Sequence, residues 1–379
     1  MPTKTRSVGA DASCPICNSA AQLLHEHRRY QPLLPSPGDQ HTIALAVFYC
    51  DSCAHGFLTD NFEGSLHSYY VSSPRRSNYS SVTQRDAKSV QAILGKVSDD
   101  IAQSILEIGG GFSPFPQLLM QSQKVSSYLS VDPAFRFLVE HPASNLAGFS
   151  FTDRLPDNGN YSVVVARQVL EHIEHLPDFL EHLKSIAAPD AIFYFEVPNF
   201  IHTLQYASWF DICFEHKHYF TQRSLVSSLF NAGLSPFVQG HLNGGHDLYV
   251  MASLGDRPDT LTMDSPVTDA PGMLTWAALP EKYFGYGLNS NLESILNFSR
   301  ADPPVYLFDD GAGVSETYWG KRRIEVGAFS DSKLLQLNTK HGHFPIVIFA
   351  PFSVEKIRAK LPRGQAIAVI DGSCLLFIQ

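Results

Sequence analysis

The stretch Leu106-Glu107-Ile108-Gly109-Gly110-Gly111 constrains this chain more than any other. A short apolar strand runs straight into three glycines, which makes a turn whose bare backbone can approach a ligand closely. From Ser104 onward, apolar runs alternate with amphipathic stretches. The pattern predicts strands at 104–108, 127–131, 161–166 and 191–197, with helices at 115–122 and 170–187. Such alternation predicts an α/β fold built on a doubly wound, Rossmann-like parallel sheet. Ligands bind such sheets beyond the carboxyl ends of the strands. Glu107, the three glycines, Asp132, Arg167, Gln168 and Asn199 therefore fall along one edge.

The glycine turn alone predicts a nucleoside cofactor without choosing it. A dinucleotide fingerprint wants a third spaced glycine where helix and strand pack, and here that slot holds Pro114. Proline suits a first helical turn, with Ser113 expected as its cap. Glu107 would oppose a pyrophosphate, yet it can organise a loop around an ammonium or sulfonium. Asp132, followed by Pro133, ends the next strand 21 residues after Gly111, where an acid can take both ribose hydroxyls. Together these residues favour S-adenosylmethionine, with a nucleotide-dependent oxidoreductase as the alternative.

Ahead of this region, Cys14-Pro-Ile-Cys17 and Cys50-Asp-Ser-Cys53 are separated by 32 residues. Two such knuckles can place four thiolates at the corners of a tetrahedron, which suits a closed, structural zinc site. His55 is a possible substitute ligand. The expected organisation is a zinc-binding domain at 1–62, a cofactor-binding domain with a polar connector at 63–255, and a C-terminal Rossmann-like α/β domain at 270–379. The connector carries Tyr69 and Tyr70, which read equally as pins of a surface loop or as part of a lid. A helix is expected at 81–97, and the C-terminal region offers the glycine turn at 311–313 and strands at 304–308, 345–349 and 366–370.

The formal charge of −9 and the lack of any Lys/Arg block argue against nucleic-acid binding. No apolar stretch reaches membrane-spanning length, and the first 15 residues lack the apolar core of a secretory signal. A cytoplasmic protein with a small-molecule substrate is the expectation.

The segment Tyr161-Ser-Val-Val-Val-Ala-Arg-Gln-Val-Leu-Glu-His-Ile resembles the post-strand segment of class I methyltransferases. That resemblance implies that Arg167 and Gln168 lie beside the methionine part of the cofactor, and that Asp153 binds the adenine amino group. Glu171 and His172 read as solvated charges on an amphipathic helix. As a whole, the order of double Cys-x-x-Cys region, tyrosine-bearing connector, core and C-terminal α/β region resembles the sugar C-methyltransferases. Its most specific pieces are Phe214-Glu215-His216-Lys217-His218-Tyr219-Phe220 and Asn243-Gly244-Gly245. The resemblance implies C-methylation of a nucleotide-linked keto-deoxysugar, with His216 as the general base and Glu215 beside it. It further implies that Tyr69 or Tyr70 corresponds to the family's lid tyrosine. A tyrosine hydroxyl or a second histidine, His218, would serve as donor to an enolate oxygen, and Asn199, Tyr219, Asn243 and Gly244 are expected at the substrate.

Methylating carbon needs a proton removed next to a carbonyl, which a histidine base can do, and donors on the enolate oxygen. The bland reading of His216 and His218 is a loop or capping role before the helix starting near Thr221. A metal site from Glu215, His216 and His218 is a further alternative. The chain departs from the family pattern at Cys213, where a tyrosine is usual, and at His246-Asp247-Leu248, where a Ser-Leu-Arg often follows the glycines. Rival functions are an O- or N-methyltransferase and a non-catalytic scaffold of the same fold.

Overall fold

In a computed structural model, the described residues are 12–30, 33–34, 43–60, 84–98, 102–111, 113–133, 142–206, 211–255, 279–288, 292–293, 296–297, 302–310, 314–319, 321–349, 354–371 and 374–378. Tyr69, Tyr70, the connector that holds them and the glycine turn 311–313 lie outside these residues, as do residues 256–278.

The N-terminal strands are β1 (Ala12–Ser13), β2 (Ala20–Tyr30), β3 (Leu33–Leu34), β4 (Ile43–Cys50) and β5 (His55–Asp60). The central strands are β6 (Gln103–Ile108), β7 (Val125–Val131), β8 (Phe149–Thr152), β9 (Tyr161–Arg167), β10 (Ala187–Pro198), β11 (His218–Tyr219), β12 (Ser235–Leu242) and β13 (Asp247–Ser253). The C-terminal strands are β14 (Phe284–Tyr286), β15 (Tyr306–Phe308), β16 (Glu316–Trp319), β17 (Arg322–Gly327), β18 (Ile346–Ile348), β19 (Ile367–Asp371) and β20 (Cys374–Ile378). Helices are α1 (Gln84–Leu94), α2 (Phe115–Met120), α3 (Leu176–Ser185), α4 (Phe200–Tyr206), α5 (Gln222–Asn231), α6 (Asp331–His341) and α7 (Val354–Arg358).

The central sheet runs β12-β13-β10-β9-β6-β7-β8. Its strands β8, β7, β6, β9 and β10 are parallel, and β13 pairs antiparallel with both β10 and β12. The sheet is therefore mixed rather than purely parallel. The chain order reverses between β6 and β9, which is the switch point where such sheets bind ligands. Val163 to Ala166 are fully buried, as an apolar run covered on both faces should be.

Two local expectations are corrected. The expected helix at 170–187 is broken: Leu170–His172 form one 3-10 turn, Ile173 is extended (φ −83°, ψ 112°), and α3 begins at Leu176. Pro177, inside the first turn of α3, is the residue that favours a fresh start there. At α2 the N-cap is Pro114, not Ser113, although the Ser113 hydroxyl still accepts from the Phe115 N–H at 3.2 Å. The start of α5 follows expectation, with Thr221 and Ser224 forming a reciprocal capping box.

The N-terminal sheet, β1-β2-β4-β5-β11, borrows its last strand from the central region. The third sheet runs β20-β19-β18-β14-β15-β17-β16-β3, and its parallel core is β19, β18, β14, β15 and β17. No helix among the described residues is long and apolar enough to cross a membrane.

Candidate functional site

The carboxyl ends of the central strands are stitched side by side. Gly109 donates its N–H to Val131 O, Gln168 to Glu196 O, and Asn199 to His246 O, each at 2.7 Å. This rim brings together most of the residues that the sequence had placed on one edge.

At β6 the glycine turn has φ of +70° at Gly109 and +53° at Gly111, conformations that glycine adopts without strain. A Cβ on Gly109 would lie 2.5 Å from Val169 Cγ2. One on Gly110 would lie 2.5 Å from Glu107 Oε2 and 2.7 Å from Ser130 Oγ, so both must be bare for the turn to close on its own strands. A Cβ on Gly111 would meet nothing within 4 Å among the described residues, so the crest of the turn leaves open space there. The Gly111 N–H donates to Asp132 Oδ2 at 3.0 Å, which clasps the acid at the end of β7 to the turn.

Glu107 lies beneath the turn, 1% exposed, and accepts from Tyr128 Oη at 2.5 Å. Burial pushes its carboxyl up to about 7, partly offset by Arg167. Arg167 is held in place: both its terminal nitrogens reach Asp86 Oδ1 at 3.0 Å, and its guanidinium lies 3.9 Å from the Phe115 ring centroid. Pro133 follows Asp132 on the rim, and Asp153, just past β8, is exposed. We expect Gly110→Ala to weaken S-adenosylhomocysteine binding by at least tenfold, about 1.4 kcal/mol, because the clash involves a buried, hydrogen-bonded carboxylate. Calorimetry reads it, and wild-type affinity would remove this turn as a cofactor cradle.

On the other side of the switch point lies a buried charged network that the sequence reading missed. Glu196, in the apolar run Ile192–Val197, is fully buried and pairs with Arg85 from α1. It also accepts from Ser89 Oγ at 2.9 Å and Tyr194 Oη at 3.1 Å. Next to it, Asp247 accepts from Asn243 Nδ2 at 2.5 Å and Gln168 Nε2 at 3.3 Å. Its other neighbour is His246, whose ring reaches Asp247 at 2.8 Å and Asp211 at 3.2 Å. Burial opposes a charge on His246, but Asp211 and Asp247 outweigh it and hold the ring up to about 10. A charged residue within an apolar strand was the available signal, since buried charges are paired.

The Asn243-Gly244-Gly245 corner sits above this network, with φ of +48°, +67° and +99°. Asn199 uses both ends of its amide structurally, donating to Gly245 O at 2.8 Å and accepting from Ile201 N at 3.1 Å.

Between the two halves of the rim lie Glu171, His172 and His216, whose ligand atoms all fall within 4.8 Å of one another. Glu171 is 1% exposed, which corrects its reading as a solvated helix charge. Its Oε2 and the Nδ1 of His216 are buried with no hydrogen-bond partner among the described residues. Burial pushes the Glu171 carboxyl up to about 7, with His216 pulling it the other way. The His172 ring lies edge-on to His216, centroids 4.7 Å apart, with Nδ1 3.1 Å from Glu215 O. Buried polar atoms left unmet in this way suit groups that exchange a proton with a ligand.

His218 is turned away from this cluster, whereas the Tyr219 ring lies 6.3 Å from the His216 ring. His218 is 3% exposed, 2.9 Å from Ile173 O through Nε2 and 3.0 Å from His55 through Nδ1. Burial pushes its ring down to about 4. The Tyr219 ring stacks on Phe200 at 5.2 Å and its hydroxyl donates to Cys213 O at 3.4 Å. Glu215 is buried next to His216.

Far along the N-terminal sheet, the sulfurs of Cys14 and Cys53, and of Cys17 and Cys50, are each 3.5 Å apart, and all four fall within 4.8 Å. A tetrahedral zinc thiolate site has sulfurs about 3.8 Å apart, and a disulfide about 2 Å, so the spacing fits the metal. The residue after each second cysteine, Asn18 and Ala54, is left-handed, so both knuckles turn back alike. The Cys53 thiol pulls the Cys14 thiol down to about 5, and Cys53 itself is pushed up. His55, bonded to His218, is not in the sulfur cluster.

Residues 57–237 match the family described as "Methyltransferase domain". No curated protein matches the chain. Among solved structures, an S-adenosylmethionine-dependent methyltransferase of Mesorhizobium loti is 14% identical, covering 44% of this chain and 99% of its own, with a TM-score of 0.37. A 1,6-didemethyltoxoflavin-N1-methyltransferase of Burkholderia thailandensis, bound to its acceptor and S-adenosylhomocysteine, is 16% identical over 55% of this chain and 94% of its own, TM-score 0.38. A magnesium protoporphyrin IX methyltransferase of Synechocystis is 14% identical over 49% and 96%, TM-score 0.38. At these scores the three overlaps carry no argument about the acceptor.

Proposed function

We propose that the region matching a methyltransferase domain, residues 57–237, is a class I S-adenosylmethionine-dependent methyltransferase, and that it methylates a carbon next to a carbonyl, with His216 taking the proton. The observation that carries this reading is a pair of buried polar atoms at the carboxyl edge of the sheet, His216 Nδ1 and Glu171 Oε2, that have no hydrogen-bond partner among the described residues. A methyl transfer to oxygen or nitrogen asks less of a base than one to carbon, where the acceptor must first become an enolate.

S-adenosylmethionine, when bound, supplies the electrophilic methyl group. The residues that fit it are the Gly109–Gly111 turn, Asp132 with Pro133 for the ribose, Asp153 for the base, and the end of β9. Arg167 and Gln168 shape that end through Asp86 and Asp247 rather than by reaching outward. His216 takes the α-proton, and the Glu171 carboxylate stabilises the imidazolium that results. Removing the proton leaves negative charge on the acceptor's oxygen, which needs donors nearby. Tyr69 or Tyr70 would serve in that role. The open corner at Gly244, with Asn243 beside it, is the natural wall for the acceptor. A nucleotide-linked keto-deoxysugar is the proposed acceptor class. The four cysteines are proposed to hold one structural zinc, and unpaired thiolates of this kind suit a reducing compartment.

The test is mass spectrometry of small molecules released from the purified protein, then solvent exchange. We expect co-purified S-adenosylhomocysteine. A nucleoside-diphosphate keto-deoxysugar incubated in D2O with enzyme, without methyl donor, should gain deuterium at the carbon beside its carbonyl. Methyl transfer without any such exchange would move the reading to an oxygen or nitrogen acceptor.

A further inference from the structure

The turn bearing Glu215 and His216 belongs to no helix and precedes a strand of only two residues, β11. Its position is therefore set by what clasps it from outside. Lys217, the next residue, does this on both sides. Its N–H donates to Glu171 O at 2.6 Å, and its carbonyl accepts from Leu58 N at 3.0 Å. Its ammonium pairs with Asp60 at the end of β5, and both side chains are about nine-tenths buried (11% and 10% exposed). The strand β11 then continues the N-terminal sheet, with His218 opposite Phe57 and Tyr219 opposite Gly56. Gly56 permits this approach, because a Cβ there would lie 2.4 Å from Phe200 and 2.9 Å from Tyr219.

The geometry points to the Asp60–Lys217 ion pair as a positioning device for His216, through which the N-terminal sheet sets the distance between His216 and Glu171. Lys217 is bonded to the Glu171 carbonyl and adjoins His216, so a shift of its backbone alters the spacing of both reacting-side groups together. Asp60 is the anchor that keeps Lys217 from shifting. Misplacement by about 1 Å at a catalytic group can cost on the order of 100-fold in rate. Removing the Asp60 carboxylate takes a charge partner from a Lys217 ammonium this buried, so the turn must move to rehydrate it. The functional consequence rests on the reading of His216 as the proton acceptor, but the positioning itself does not.

The experiment is therefore read on His216 directly. Full-length protein with ring-labelled histidine, saturated with S-adenosylhomocysteine, is titrated by NMR, and the His216 signal is assigned by its loss in His216→Asn. In Asp60→Asn and in Lys217→Met, the His216 midpoint is expected to move by at least about half a pH unit, since its distance to the Glu171 carboxyl changes. Asp60→Glu should return it towards the wild-type value, and S-adenosylhomocysteine affinity should stay within about twofold. Superimposable His216 titrations in Asp60→Asn and wild type overturn the assignment. So does loss of cofactor binding in both variants, which would make the pair a support of the whole domain. Turnover that survives in His216→Asn would instead remove the base reading and leave the positioning result standing.

Discussion

His216→Asn is expected to lower the rate of methyl transfer by a factor of about 10² to 10⁴, about 3–5 kcal/mol in the barrier, with S-adenosylhomocysteine affinity changed by less than about twofold. The separation of the two readouts follows from placement. His216 stands with Glu171 and His172, while the cofactor turn is built from Gly109–Gly111, Glu107 and Asp132. Asparagine keeps a hydrogen-bonding group of similar size but cannot carry the abstracted proton at neutral pH. The pH dependence should show the same cluster. Burial holds the Glu171 carboxyl up to about 7, so below that pH it is neutral and cannot stabilise an imidazolium at His216. Turnover should fall as pH drops through about 7, and Glu171→Gln should lower the plateau above it. Single-turnover rates across pH check both statements. Wild-type turnover in His216→Asn would end the assignment, and a flat pH profile would remove Glu171 from it.

The cofactor half of the site was legible because its physics is local. A glycine turn after a strand and an acid at the end of the next strand are sequence-adjacent features, and Gly111 and Asp132 do meet. The acceptor half was legible only in part. Glu171 reads as a helix charge when the stretch from Leu170 is taken as one helix. The extended Ile173 breaks that helix, and the preceding 3-10 turn points the carboxyl inward. Arg85, Glu196, Asp211 and Asp247 meet from four separate elements, so no window of sequence holds their pairing. The same is true of Asp60 and Lys217, which are 157 residues apart. His218 shows the opposite case. Its place in a histidine-rich motif suggested chemistry, but His218 lies in β11 and meets His55 in the interior, while His216, in the turn before that strand, faces the cluster.

The cysteine-bearing end of the N-terminal sheet should depend on the proposed metal more than on its packing, although the sheet's other face is buried against Phe200, Ile212 and Phe214. Its apolar core around the sulfurs is small, composed of Ala21, Ala46, Phe48 and Phe57 with the cysteines themselves. Without a cation, four thiols held within 4.8 Å cannot all ionise: burial pushes the Cys50 thiol up, and the hydrogen bond with Cys14, then burial, pushes Cys53 up. A zinc ion at the proposed site would make four thiolates favourable and join the Cys14 and Cys50 knuckles across the sheet. Structural zinc contributes on the order of 10–16 kcal/mol in zinc-finger peptides, as much as the whole stability of a typical domain. Purified protein is therefore expected to carry one zinc per chain by elemental analysis. Cys50→Ser, or exhaustive chelation, should abolish the N-terminal sheet. The loss should spread beyond the metal, because β11 is part of that sheet and holds the turn next to it. Hydrogen exchange should show deprotection at 43–60 and at 217–220 together, while the β6, β7 and β9 amides stay protected. A metal-free protein that keeps protection at 217–220 would show that this turn stands on the central sheet alone. A second equivalent of metal would assign Glu171, His172 and His216 to metal binding instead of proton transfer.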